Sequence, residues 1–299
     1  MAGRAGGRHA MAGPDADRLG ARLSAGRAMS TAKVSRLGLG GSRFGSFGNP
    51  APAAESERLV QVALDLGVGV IDTASIYGQG DSERIIGRAI AGRRDAAFVV
   101  TKGGLTFSAK YRLLRTAKPL VRAVLARRAR GSTVTAQRSE AMRSDWRPRA
   151  IVASLEASLR RLRTDRVEAF LLHSPPPHVA GDDELALALV AARAAGKALH
   201  VGVSCDDMAT LDAALDQPGY DVLELPWTVI AALGRRADTI AQRGHLVLAR
   251  EVVTQQPGMS PAQAVARAIA HPTVDCTVVG TGRVEHLRAL AAIARGATR

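Results

Sequence analysis

Four polar residues of complementary chemistry stand out along the chain: Asp72 and Tyr77 in VIDTASIYGQGDSERIIGR (70–88), Lys102 in VVTKGG (99–104) and His173 in LLHSPPP (171–177). A phenol with an ordinary pKa near ~10 exchanges protons poorly at neutral pH. A neighbouring ammonium favours phenolate and is expected to pull that value down. Lys102 suits this purpose if Asp72 holds it charged and oriented. His173 can hydrogen-bond a carbonyl oxygen and fix its direction. A tyrosine tuned in this way fits protonation of a carbonyl oxygen while a hydride arrives at carbon. Each residue also has a plainer role, as a loop cap, a packed aromatic, a solvated lysine or a core histidine. The chemical reading is favoured because all four fall at or just after the end of an apolar run.

Those runs are the elements that would hold the site. Short apolar segments at 36–39, 68–72, 97–101, 167–172, 199–203, 222–225, 246–249 and 276–279 read as strands. Between them, SERLVQVALDLG and AIVASLEASLRRL place apolar residues at helical spacing, as do DELALALVAARAAG and SPAQAVARAIA. In the last of these, Ser260 is the expected N-cap and Pro261 the first helical residue. Eight strands alternating with about eight helices predict an α/β fold, a (β/α)8 TIM barrel over residues 31–299, with its chemistry at the C-terminal strand ends. The fifth strand end, GVSC, adds Ser204 and Cys205. A doubly wound sheet would carry a G-x-G-x-x-G loop after its first strand, and LGLGGSRFG lacks that spacing.

The net charge of +14 is unevenly spread. Residues 1–30 hold five Arg against two Asp, and residues 110–149 hold twelve Lys/Arg against two acids, so the remainder is nearly neutral. This argues against a nucleic-acid partner, since a local basic segment is more often a solvated face. Residues 1–30 are rich in Ala, Gly and Arg and read as a disordered tail, with Met29 a candidate start. A long excursion, 105–147, follows the third strand and contains KPLVRAVLARRARG, a basic amphipathic helix expected to act as a lid or pocket wall. Phe107, Tyr111, Trp146 and Trp227 are candidates for lining a substrate pocket. No apolar run approaches the ~18 residues of a membrane span. Cys205 and Cys276 lack metal-ligand spacing, so neither a disulfide scaffold nor a metal site is expected, and a reducing compartment, the cytoplasm, is the default.

The sequence resembles the aldo-keto reductase family. The resemblance rests on VSRLGLGGSRFG (34–45), VIDTASIYGQGDSERIIGRAI (70–90), VVTKGG, SLEASLRRLRTDRVEAFLLHSPPP (154–177), HVGVS (200–204) and VVGTGRVEHL (278–287). It implies that Asp72, Tyr77, Lys102 and His173 form the catalytic set, and that the activity is NADPH-dependent reduction of an aldehyde or ketone, or the reverse oxidation, without metal. It also implies a cofactor site at Ser204, Cys205, Glu224, Arg250, Thr281, Gly282, Arg283 and His286. Here the chain departs from the family: Cys205 stands where Asn is usual, Glu224 where Gln is usual, and Arg250 near the place of a stacking aromatic. The Asn expected near Leu290 is missing. A guanidinium plane can also stack, and Arg283 favours NADP over NAD because a 2′-phosphate suits arginine. The departures keep a second reading open, a regulatory or interaction protein of the same fold that binds NADP(H) with little turnover.

Overall fold

Parallel strands buried on both faces need unbroken apolar runs, and the chain supplies them in short lengths. The computed structural model describes residues 34–46, 51–107 and 142–297. Its strands are β1 (Leu37–Gly40), β2 (Val70–Asp72), β3 (Phe98–Gly103), β4 (Leu105–Phe107), β5 (Met142–Ser144), β6 (Val167–His173), β7 (Ala198–Ser204), β8 (Val222–Pro226), β9 (Leu246–Arg250) and β10 (Cys276–Val279). All but β4 and β5 close into a parallel barrel of order β1-β10-β9-β8-β7-β6-β3-β2. This is the predicted (β/α)8 architecture.

The helices are α1 (Ala53–Asp65), α2 (Asp81–Ala89), α3 (Pro148–Leu162), α4 (Pro177–Ala180), α5 (Asp183–Ala194), α6 (Met208–Asp216), α7 (Trp227–Ile230), α8 (Arg236–Arg243), α9 (Pro261–Ala270) and α10 (Val284–Gly296). Their starts follow local chemistry. Asp182 and Asp207 accept from the third backbone N–H beyond them, each at 2.7 Å, to cap α5 and α6. Ser260 and Gln263 form the reciprocal capping box of α9, with Pro261 in its first turn. Among the described residues no helix is long and apolar enough to cross a membrane.

At the N-terminal rim of the barrel, carboxylates satisfy the strand ends. Glu168 accepts from Val99 N (2.7 Å) and from Arg94 Nη2 (2.8 Å), Asp221 from Val201 N (2.8 Å), and Asp275 from Val247 N (2.9 Å). At the other rim the register sets functional groups side by side. Asp72 pairs with Val100, Lys102 with Leu171, His173 with Ser204, Ser204 with Glu224, and Pro226 with Arg250.

The excursion after β3 leaves through β4 and returns through β5, which pair antiparallel with Leu105 opposite Ser144. The ribbon starts at Gly104, whose φ of +102° suits glycine; a Cβ there would lie 1.9 Å from the Trp146 ring. Sequence periodicity gives no sign of this two-stranded stem, because three residues per strand are too few to show alternation. The basic helix expected within 118–131, Tyr111 and the tail 1–30 lie outside the described residues.

Candidate active site

Tyr77 reaches the rim by a turn folded back over β3. Thr73 N–H donates to Val100 O (2.8 Å), Ser75 N–H to Lys102 O (3.1 Å), and Tyr77 N–H to Ala74 O (3.0 Å). A 3-10 turn, Tyr77–Gly80, then enters α2. Gly78 sits at φ +57°, and a Cβ on it would come within 2.6 Å of Phe44 O. A side chain at this position would push the turn off the rim and carry Tyr77 with it.

Lys102, fully buried, sits within reach of that ring. Its Nζ is ion-paired with Asp72 and, at 3.2 Å, with Glu224, and it donates to Thr73 O at 3.3 Å. The same Nζ is 5.7 Å from the Tyr77 ring centre. The His173 ring meets Tyr77 edge-on, with centroids 5.6 Å apart and planes at 86°. Asp72, Tyr77, Lys102 and His173 thus form one cluster.

Burial disfavours the Lys102 ammonium, but Asp72, Glu224 and Tyr77 more than reverse that effect, so its pKa ends above the ordinary value. Burial pushes Asp72 up, Lys102 pulls it down and Glu224 pushes it up again, leaving it at about 7. Tyr77 corrects the sequence expectation. Its pKa is not lowered; burial, opposed by Lys102 and reinforced by Asp72 and Glu224, pushes it up to about 12. Burial outweighs the pull of the ammonium, and the two carboxylates that share it offset part of that pull. Tyr77 is therefore held as a neutral proton donor. Burial, then Lys102 and Arg250, lower His173 to about 3, so its imidazole is neutral.

Asp72, Tyr77 and His173 form part of the wall of a cavity of about 960 Å³, lined also by Ser204, Glu224, Arg250, Thr281 and His286, with Lys102 buried behind them. A second cavity of about 540 Å³ shares Arg43, Gly280, Thr281 and His286 with the first and adds Gly282 and Arg283. The pair forms a long, jointed space. Among the described residues, three buried polar atoms in the first cavity's wall lack a hydrogen-bond partner: His173 Nδ1, Glu224 Oε2 and Arg250 Nε. Such atoms are costly unless a ligand or water completes them.

The sequence pattern of the Aldo/keto reductase family matches residues 36–232. The chain belongs to that family. It is 32% identical over 202 residues to Aldo-keto reductase YhdN of Bacillus subtilis (strain 168), covering 64% of this chain and 52% of YhdN, so the match spans about half of that relative. It is 26% identical over 290 residues to 6-dehydroglucose reductase of Agrobacterium fabrum, covering 87% and 88% of the two chains. Its fold is shared with an aldo-keto reductase from Klebsiella pneumoniae solved with NADP and acetate, at a TM-score of 0.62, 23% identity, and 87% and 86% coverage.

Within this aldo/keto reductase, the cofactor candidates are not all in the same surroundings. Ser204, Glu224, Arg250, Thr281 and His286 line the larger cavity, whereas Gly282 and Arg283 line the smaller one. Cys205 does not join them on the cavity side. Its side chain is fully buried in the hydrophobic core, and its thiol is pushed up by burial. Only its carbonyl takes part, accepting from Arg250 Nη2 at 3.0 Å. Glu224 is engaged with Lys102. Arg250 is tied to Asp206 and Glu251 as well as to Cys205. Trp227 is likewise not part of the cavity's described lining; its ring packs 5.4 Å from Arg267 and edge-on to His271. Phe107 borders a separate space beside α3.

Sequence reasoning did not single out Ser174, Asp206 or Glu251. Ser174 Oγ donates to Asp206 at 2.9 Å, and all three residues line the larger cavity. Ser174 (φ 53°) and Glu251 (φ 58°) lie in the left-handed region. Strained residues of this kind gather at functional sites. The acidic pair after Ser204 was the available signal for Asp206.

Proposed function

We propose that this protein is an NADP(H)-dependent oxidoreductase that interconverts a small aldehyde or ketone and its alcohol. The reading rests on one observation: a neutral phenol and a neutral imidazole, with a charged ammonium buried beside them, line a cavity that runs on towards Arg283. The partnerless polar atoms and the jointed space fit a dinucleotide, with its nicotinamide end beside Glu224 and its adenosine phosphate near Arg283 and the N-terminus of α10. When bound, that group would supply or accept the hydride. Tyr77 protonates the carbonyl oxygen. His173 offers its remaining N–H to the same oxygen and orients it. Lys102, anchored by Asp72, stabilises the phenolate left behind. The compartment is proposed to be the cytoplasm, and 1–30 and 105–147 are proposed to be a tail and a pocket-wall insertion of one barrel domain.

The test is oxidation of NADPH by purified protein across a panel of small aldehydes, ketones and quinones, followed by the absorbance of the reduced nicotinamide. Turnover is expected. Tight NADPH binding with none across the panel would favour the second reading, a nucleotide-binding protein of this fold with a regulatory or interaction role. Arg283→Ala is expected to raise the Kd for NADPH by roughly 10–100-fold and to leave that for NADH unchanged, since a charge-assisted hydrogen bond contributes about 1.5–3 kcal/mol. Titration of both nucleotides checks this.

The pH dependence has a definite sign. Ionised Asp72 raises the Tyr77 pKa, and Asp72 itself stands at about 7. Below that value protonated Asp72 leaves Lys102 a stronger field, so Tyr77 is the better acid. Above it Tyr77 is the better base. Reduction is therefore expected to slow as pH rises through about 7, and alcohol oxidation to quicken. No inflection from His173 is expected in the neutral range, because it stands at about 3. Rate profiles of wild type and Asp72→Asn check this, with the inflection absent from the variant.

A further inference from the structure

Four carboxylates and two cations surround the inner end of the larger cavity. Lys102 is shared by Asp72 and Glu224, and Arg250 is shared by Asp206 and Glu251. His173 adds no charge, since burial holds it neutral. With Arg43 also lining the cavity, three cations face four carboxylates, so the wall carries a small excess of negative charge when its carboxylates are ionised. The side chains of Asp206 and Glu251 are 57% and 47% exposed, so solvent screens them. Glu224 differs in every respect. Its side chain is 1% exposed, its Oε1 is 3.2 Å from Lys102 Nζ, and its Oε2 is buried with no hydrogen-bond partner.

Any hydride donor serving a carbonyl held by Tyr77 and His173 must bring its reacting carbon to within about 3–3.5 Å of the carbonyl carbon. That requirement confines the nicotinamide to the same end of the cavity as Glu224, one strand from Ser204 and two from His173. The two redox forms of a nicotinamide ring differ by one unit of charge: the oxidised ring is a cation and the reduced ring is neutral. A carboxylate beside the ring therefore cannot treat them alike.

We propose that Glu224 sets the redox preference of the cofactor site, holding the oxidised, cationic nicotinamide more tightly than the neutral reduced form. The inference deepens the oxidoreductase reading and rests on it. Its consequence is that hydride delivery to a bound carbonyl, the step that leaves the cofactor oxidised, is favoured on the protein, while the equilibrium in solution is untouched. An amide at this position would present the same shape without the charge.

The experiment is a titration of NADP⁺ and NADPH against wild type, Glu224→Gln and Glu224→Asp at about pH 8, above the value to which Asp72 is pushed. In E224Q the Kd for NADP⁺ is expected to rise relative to that for NADPH by roughly tenfold to a hundredfold, the scale of one unit charge about 6–12 Å from the centre of the ring's charge at an effective dielectric of about 20. E224D, which keeps the charge, is expected to stay near the wild-type ratio. An unmoved ratio in E224Q, with both nucleotides still bound, overturns the inference and leaves the oxidoreductase reading standing. Failure of wild type to bind either nucleotide removes both. Wild type alone gives a second readout should E224Q not fold: it should bind NADP⁺ more tightly than NADPH, and the opposite order overturns the proposal.

Discussion

Tyr77→Phe is expected to lower turnover in carbonyl reduction by about 10²–10⁴-fold, the usual contribution of a positioned general acid. The substitution removes one oxygen and nothing else. The ring keeps its edge-on contact with His173 and its place over Lys102, both of which depend on the aromatic face and edge. Neither Lys102 nor His173 can take over the donation. Lys102 is held charged by two carboxylates. His173 stands at about 3, so in neutral solution it offers the N–H of a neutral imidazole, a weak acid. The loss should therefore fall on kcat, with the Kd for NADPH changed less than about twofold and the melting temperature unaltered. Stopped-flow turnover, nucleotide titration and a thermal melt on the same preparation check the three parts. Full activity in the variant would remove Tyr77 from the mechanism.

Much of this arrangement is legible in the sequence. The eight apolar runs became the eight barrel strands, displaced by no more than two residues at any end, because parallel strands buried on both faces need such runs. The rule that chemistry sits at C-terminal strand ends then located Asp72, Lys102 and His173 without any coordinates. The failures share a cause, since each needed a distance across the barrel or a direction normal to a strand. The Tyr77 pKa moved opposite to expectation because the folded barrel buries the phenol, and because Glu224, more than 120 positions further along the chain than Lys102, adds a second carboxylate beside it. The family resemblance puts Cys205 with the cofactor, and strand alternation turns its side chain away. Ser204 faces the cavity, so the next residue faces the layer between strands and helices. Trp227 is near a strand end in sequence, which suggests a place in the substrate pocket, and it packs on Arg267 instead. The stem formed by β4 and β5 carries no periodic pattern to read.

Lys102→Met is expected to cost about 3–5 kcal/mol of stability as well as the activity. Lys102 is the counterion for two carboxylates, Asp72 and Glu224, whose side chains are 7% and 1% exposed. Breaking a buried pair by removing one partner leaves uncompensated charge in a poorly solvated place, and here one deletion strands two carboxylates together. For a barrel of this size the melting temperature should fall by roughly 10 °C. The pH dependence separates this cause from mere loss of packing. Without the ammonium Asp72, pushed up to about 7 even beside Lys102, holds its proton to higher pH still, well beyond the value at which the unfolded chain releases it. The native state then binds more protons than the unfolded one, and stability falls as pH rises from about 4 towards neutrality. The deficit of Lys102→Met should therefore be largest at neutral pH and shrink on acidification. Adding Asp72→Asn or Glu224→Gln to Lys102→Met should restore part of the loss, although either change in an otherwise wild-type protein removes a partner of Lys102. Urea melts of the single and double variants at several pH values measure the coupling. A Lys102→Met deficit that is the same at every pH, and not relieved by neutralising either carboxylate, would show that the ammonium is not what holds these two acids in the barrel.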